Sequence, residues 1–278
     1  MGFFQPVSKR ASIGSPFLRL GMPVAFVGVV VGFAAWLALP ATVVADCAAA
    51  PVDEWVRVKH VYDGDTLTLT DGRKIRLIGI NTPERGRDGA PSEPFAEQAR
   101  EMVRKLLIGK QARVGLRFDA QRRDRYDRVL AHVYTADGRS MQQALLEEGY
   151  GAVISVPPNL ANHRCYDRAE QRARQRGLGV WALPRYTGLD SAALGRDTAG
   201  FHIIRGRVER VNTSKNSVWL TLGGGLALRV DKKNVHHFEA LPLSDYQGKR
   251  VEVRGWIYRR DGAPRMTIDH PGDIEILG

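Results

Sequence analysis

The sequence predicts a mainly β protein in two parts. Residues 54–186 read as an α+β unit, a five-stranded barrel carrying three helices, and residues 201–278 as a smaller all-β barrel. Three observations predict this. Apolar residues alternate with polar ones over short runs, which is the period of a strand. Asp-Gly pairs at 71–72, 137–138 and 261–262 punctuate the runs as tight turns. A stretch rich in Gly, Ala, Ser and Asp, residues 187–200, separates the halves as a linker.

In chain order, Val56, Val58, Leu67, Leu69, Ile75 and Leu77 alternate with polar neighbours and give the first strands. Phe95, Ala99, Met102, Val103, Leu106 and Leu107 then fall on one helical face, and Gly109 stops the helix. Residues 111–118 and 128–134 read as two further strands. Ser140 with Gln143 matches a capping box opening a short helix through Glu148. A heavily charged third helix spans 159–176 and ends at Gly177. Five strands with interspersed helices fit an OB-type barrel, a shape used for oligonucleotides.

The second region offers strands at 202–211, 218–222, 226–230, 250–258, 265–268 and 274–277. Gly223-Gly224-Gly225, Asp261-Gly262 and Pro271-Gly272 punctuate them. They fit a second OB-like barrel. Trp219 and Trp256 are assigned to its core. The alternative use of these tryptophans, with Tyr258, Arg254, Arg259 and Arg260, is a stacking platform for single strands.

Residues 1–45 read as an export signal. Lys9, Arg10 and Arg19 form a positive region, Met22 to Leu39 carries no charge, and Val43-Val44-Ala45 offers a small-residue cleavage site. The apolar run is long for a signal, so an uncleaved N-terminal membrane anchor is the alternative. Either reading places the folded part outside the cytoplasm, periplasmic or secreted. There, Cys47 and Cys165 are candidates for a disulfide. Closing so long a loop contributes about 4–5 kcal/mol in the chain-entropy model. Two cysteines at this separation give no support for a zinc site. His60, His132 and His163 show no metal-ligand spacing.

The net charge is +11, and +8 remains when Lys9, Arg10 and Arg19 are set aside with residues 1–45. A basic body favours a polyanionic partner.

The chemistry concentrates in three pieces: Asp63-Gly64-Asp65-Thr66, the run from Ile75 to Glu84, and Asp124-Arg125-Tyr126-Asp127-Arg128. Carboxylates with carbonyl oxygens suit a hard cation such as Ca²⁺. Arginine forks suit a phosphate. A carboxylate base beside both suits a water attacking phosphorus.

In order and spacing these pieces resemble the catalytic core of the staphylococcal-nuclease-like (thermonuclease) family, over about Val56–Trp181. The resemblance implies an OB fold with three helices and a Ca²⁺-dependent nuclease acting on DNA, with RNA as a second substrate, that leaves 3′-phosphates. It implies no organic cofactor. It assigns Asp65, Asn81 and the Thr82 carbonyl to Ca²⁺, Arg76 and Arg128 to the phosphate, and Glu84 to the general base. Asp63 and Thr66 flank the first ligand, and Asp124 and Tyr126 precede Arg128 as supporting or substrate-binding residues.

Two departures stand out. Asn81 replaces an aspartate usual in the family, which predicts weaker Ca²⁺ binding. Asp127 replaces a usual glycine. Asn81 also supports a competing expectation, in which tandem OB-type domains bind nucleic acid or a partner protein without cleaving it.

Overall fold

The computed structural model describes Cys47 and residues 51–278. The export signal or anchor read over residues 1–45 lies outside the described residues. No described helix is long and apolar enough to cross a membrane.

The first barrel closes through β1 (Glu54–Val61), β2 (Thr66–Leu69), β3 (Lys74–Leu77), β5 (Arg113–Arg117) and β6 (Val129–Thr135), in the order β1-β2-β3-β6-β5. β3 and β6 run parallel, and the other pairs are antiparallel. Strand alternation sends Val56, Val58, Leu67, Leu69, Ile75, Leu77, Val114 and Leu116 into one core. α1 (Ala96–Leu107) adds Ala99, Val103, Leu106 and Leu107 to it, and α2 (Met141–Glu147) adds Met141, Ala144, Leu145 and Leu146. A two-stranded ribbon, β4 (Ile80–Asn81) with β7 (Ala152–Val153), sits beside the barrel. Two residues are too few to show a period, so the sequence does not announce it.

Two predicted details differ. Ser140 Oγ accepts the Gln143 N–H at 3.2 Å, but the Gln143 side chain does not complete the box. It accepts the Cys47 N–H at 2.7 Å and donates to Glu147 at 3.0 Å. The third helix, α3 (His163–Gln175), starts four residues later than predicted. Asn159 is held out of it by two bonds to the Gln121 backbone, at 2.7 and 2.9 Å. Cys47 and Cys165 are joined by a disulfide across 118 residues.

The second barrel uses β9 (Gly200–Thr213), β10 (Ser217–Leu222), β11 (Ala227–Asp231), β12 (Arg250–Arg260) and β13 (Ala263–Thr267). β9 pairs β10, β10 pairs β11, β11 pairs β13 in parallel, β13 pairs β12, and β12 closes on β9. This repeats the connectivity of the first barrel. β14 (Ile274–Ile276) extends β12, and β8 (Leu189–Asp190), inside the segment read as a linker, pairs with β9.

The barrels share a hydrophobic seam of Ala152, Ile154, Ala173, Val180, Trp181 and Tyr186 with Phe201 and Ile203. Beside it, charges cross over between α3 and β12. Glu170 pairs with Arg254 at 2.6 Å, and Arg174 pairs with Glu252 at 2.7 Å. Residues four apart on a helix and two apart on a strand each share a face, so the two pairs interlock in one register. Such buried pairs add little net stability, and each would be costly to break from one side.

This seam corrects the reading of β12. Val251, Val253 and Ile257 point into the barrel, so Glu252, Arg254 and Trp256 point out of it. Arg254 is the buried partner of Glu170 rather than part of a stacking platform. Trp256 is 45% exposed, and neither it nor Trp219 belongs to the barrel core.

Candidate active site

The turn between β1 and β2 carries Asp63 and Asp65 and brings Asp65 against Thr82, just past β4. Gly64 permits the approach: a Cβ there would lie 2.8 Å from Thr82 Cγ2 and 2.9 Å from Ala99 Cβ. Asp63 Oδ1 accepts the Asp65 N–H at 3.0 Å and stiffens the turn. Asp65 is buried, and its carboxylate is fully engaged. Oδ1 accepts from Thr66 Oγ1 at 3.1 Å, and Oδ2 accepts from Thr82 N at 2.8 Å and Thr82 Oγ1 at 3.1 Å. The Thr82 side chain therefore has a use beyond the backbone carbonyl that the sequence reading emphasised.

Arg76, on β3, reaches the same carboxylate, with Nη2 3.2 Å from Asp65 Oδ2 and Nη1 donating to the Leu77 carbonyl at 2.7 Å. Arg128 immediately precedes β6, the strand that runs parallel to β3. Its Nε donates to Asp124 Oδ2 at 2.7 Å and its N–H to Asp124 Oδ1 at 3.0 Å. Asp124 thus positions the guanidinium. Tyr126 is exposed, with the Arg128 guanidinium over its ring at 5.5 Å. Asp127, the residue in the glycine position, adopts a left-handed φ of 62°.

Glu84 follows the ribbon strand that carries buried Asn81. Its side chain is exposed, while its backbone is clamped: Glu84 N donates to Glu93 Oε2, and Glu93 N donates to the Glu84 carbonyl, each at 2.9 Å. Desolvation by its surroundings and then the Asp65 charge push the Glu84 carboxyl above its ordinary value. Burial and then Asp65 push Asp63 up to about 7. Glu84 adds to that push.

The Asp65 charge raises both Asp63 and Glu84, so the three carboxylates sit within electrostatic reach of one another. Among the described residues no group of three His, Cys, Asp or Glu side chains is arranged to hold a metal. Asp65, the Asn81 amide and the Thr82 carbonyl are all oxygen donors, the chemistry that suits Ca²⁺.

Arg76 and Arg128 line one open pocket of about 430 Å³. Its apolar side is formed by Tyr126, Ile154, Val156 and, from the second barrel, Trp256. Asp63, Asp65 and Thr82 form the adjoining carboxylate cluster, joined to the pocket through Arg76.

Sequence reasoning missed Glu93, Arg185 and the position of Trp256. Glu93 lies nine residues from Glu84 across a loop without periodicity, so no local signal marks it. For Trp256 the signal was present, since the alternation that buries Val251, Val253 and Ile257 sends it outward.

Known proteins resemble this chain over part of its length. The family described as "Staphylococcal nuclease homologue" matches residues 74–183. The thermonuclease of Staphylococcus intermedius is 33% identical over 127 residues, covering 45% of this chain and 74% of that protein. The thermonuclease of Staphylococcus hyicus is 29% identical over 134 residues, covering 47% and 77%. Endonuclease YncB of Bacillus subtilis is 33% identical over 136 residues, covering 47% and 63%. The family match takes in Arg76, Asn81, Glu84 and Arg128. By sequence match and by the first barrel with its three helices, the chain belongs to the staphylococcal nuclease family.

Proposed function

We propose that this chain is an exported, Ca²⁺-dependent nuclease that hydrolyses phosphodiester bonds of DNA, accepts RNA as well, and leaves 3′-phosphates. The observation that carries this reading is the Arg76–Asp65 contact at 3.2 Å, which puts a phosphate-binding fork directly beside a carboxylate cluster. The relatives named thermonuclease and endonuclease support hydrolysis of nucleic acid. The charged stretch and apolar run of residues 1–45 support export, by a cleaved signal or with an anchor retained.

Asp65, Asn81 and the Thr82 carbonyl would hold Ca²⁺, which when bound supplies positive charge beside the scissile phosphate. Arg76 and Arg128 bind the phosphate from β3 and from the residue before β6, and their planar forks oppose the negative charge that grows on its oxygens. The Asp124 carboxylate fixes the Arg128 fork for that contact. Glu84, with its raised proton affinity, accepts the proton from the attacking water. Phosphate-centred recognition tolerates either sugar.

End-labelled single-stranded DNA and RNA, incubated with the protein across a Ca²⁺ series and in EDTA, test the reading. Cleavage of both that requires Ca²⁺, with products shortened in charge by phosphatase, is expected. Equal cleavage in EDTA would overturn the metal dependence, and products with 3′-hydroxyls would overturn the assigned bond. Binding without cleavage at any Ca²⁺ level would convert the site to a binding surface.

A further inference from the structure

We propose that Trp256 of the second barrel completes the substrate pocket of the first, by stacking on an unpaired nucleobase whose phosphate Arg76 and Arg128 hold. The inference rests on the reading of that site as a nucleic-acid site and adds a base-binding subsite to it.

The exposed apolar surface is concentrated here. Seven large hydrophobic residues are exposed among the described residues, and Tyr126, Val156 and Trp256 all line this one pocket. A contiguous apolar patch rimmed by charge marks an interaction site rather than chance exposure. The rim is cationic on balance, with Arg76, Arg125 and Arg128 lining the same pocket against one carboxylate, Asp124, so the ligand that fits carries an anionic group beside a flat apolar one. A nucleotide has both.

Trp256 is held in place as a wall rather than left loose. It pairs with Phe201 across β12 and β9, and the two rings meet edge to face at 5.2 Å. Phe201 is buried in the seam against Tyr186, with ring centres 5.8 Å apart. Two residues before Trp256 on the same strand face, Arg254 is locked to Glu170 of α3. The ring therefore has one edge fixed by the seam while nearly half of its surface, 45%, stays open. A rigid, partly exposed indole next to a phosphate clamp suits stacking on a base, which every nucleobase allows through its π-face. A base already stacked within a duplex does not offer that face, so the subsite takes unpaired bases.

The test measures binding in EDTA, by fluorescence anisotropy, of two labelled probes: hexathymidylate and an abasic oligonucleotide of equal length. Trp256→Ala is expected to weaken hexathymidylate binding about tenfold, within the range of base–aromatic stacking. Trp256→Phe, which keeps a flat ring, is expected to retain most of the affinity. Binding of the abasic probe is expected to be unchanged in both variants. In cleavage assays the alanine variant is expected to raise KM with kcat little altered. Equal loss for both probes would show a structural role for Trp256, and no loss for either would show none; each overturns the proposal. The base-dependent loss in a protein that never cleaves would overturn the nuclease reading and leave this subsite standing.

Discussion

Arg185 and Glu93 form an ion pair at 2.8 Å that ties the end of the first unit to the loop carrying Glu84. Arg185 also donates to the Phe201 carbonyl on β9, at 2.7 and 3.2 Å. The other oxygen of Glu93 accepts the Glu84 N–H. A continuous polar strut thus runs from the second barrel to the proposed base. Removing its middle by Glu93→Ala is expected to lower kcat about tenfold with KM little changed, because small displacements of a reacting group are costly. Steady-state kinetics with Arg185→Gln should show the same split to a smaller degree. A rise in KM at constant kcat would show that Glu93 acts on substrate binding instead.

Asn81 removes one formal charge from the oxygen donors around Asp65. Asn81→Asp is expected to lower the Ca²⁺ concentration giving half-maximal cleavage by about tenfold, through stronger attraction for a divalent ion. The same change adds a buried carboxylate beside Asp65, so it should lower Tm in EDTA and enlarge the rise in Tm on adding Ca²⁺. Thermal scans with and without Ca²⁺ check this directly. An unchanged Ca²⁺ response would place the ion away from Asn81.

Asp127 has a φ of 62°, a conformation that side chains other than Asn and Asp tolerate poorly. Its pairing with Arg123 is at the exposed surface and contributes little. Asp127→Ala is therefore expected to destabilise by about 1 kcal/mol, and Asp127→Gly to be neutral or slightly stabilising. Denaturant titrations of the two variants separate backbone strain from loss of the ion pair, which would affect both equally.

The buried Asp273 carboxyl is pushed up to about 7 from an ordinary 3.8, because its burial outweighs the neighbouring Arg254 and His163 and the Ser155 N–H at 3.1 Å. The folded state holds this proton more tightly than the unfolded one. Its contribution is fully present below the unfolded value and is lost as pH rises through about 7. Stability measured from pH 4 to 8 should thus fall more steeply in the natural protein than in Asp273→Asn, which keeps an acceptor for Ser155. Parallel curves would contradict this.

Much of the first barrel was legible in the chain. Its strands β2 and β3 alternate, because one face meets a core and the other does not. Its catalytic pieces are short, contiguous and rich in chemistry. What the chain concealed lies where two units meet. Glu252 and Arg254 look like solvent-facing charges on a strand, yet α3 covers them and supplies their partners from 78 and 84 residues away in sequence, at Arg174 and Glu170. Trp256 looks like core because tryptophan usually is, while its place in the alternation puts it outside. The start of α3 was misjudged because side-chain bonds from Asn159 to Gln121, invisible to local propensity, hold that residue in a loop. Tertiary partners decided each of these cases.

The most direct test of the central claim is single-turnover cleavage of a single-stranded oligonucleotide by the natural protein and by Glu84→Gln at saturating Ca²⁺. With Glu84 as the base, the rate is expected to fall at least about 100-fold while oligonucleotide affinity is retained. Rates within twofold of each other would contradict the account and remove Glu84 from the chemistry.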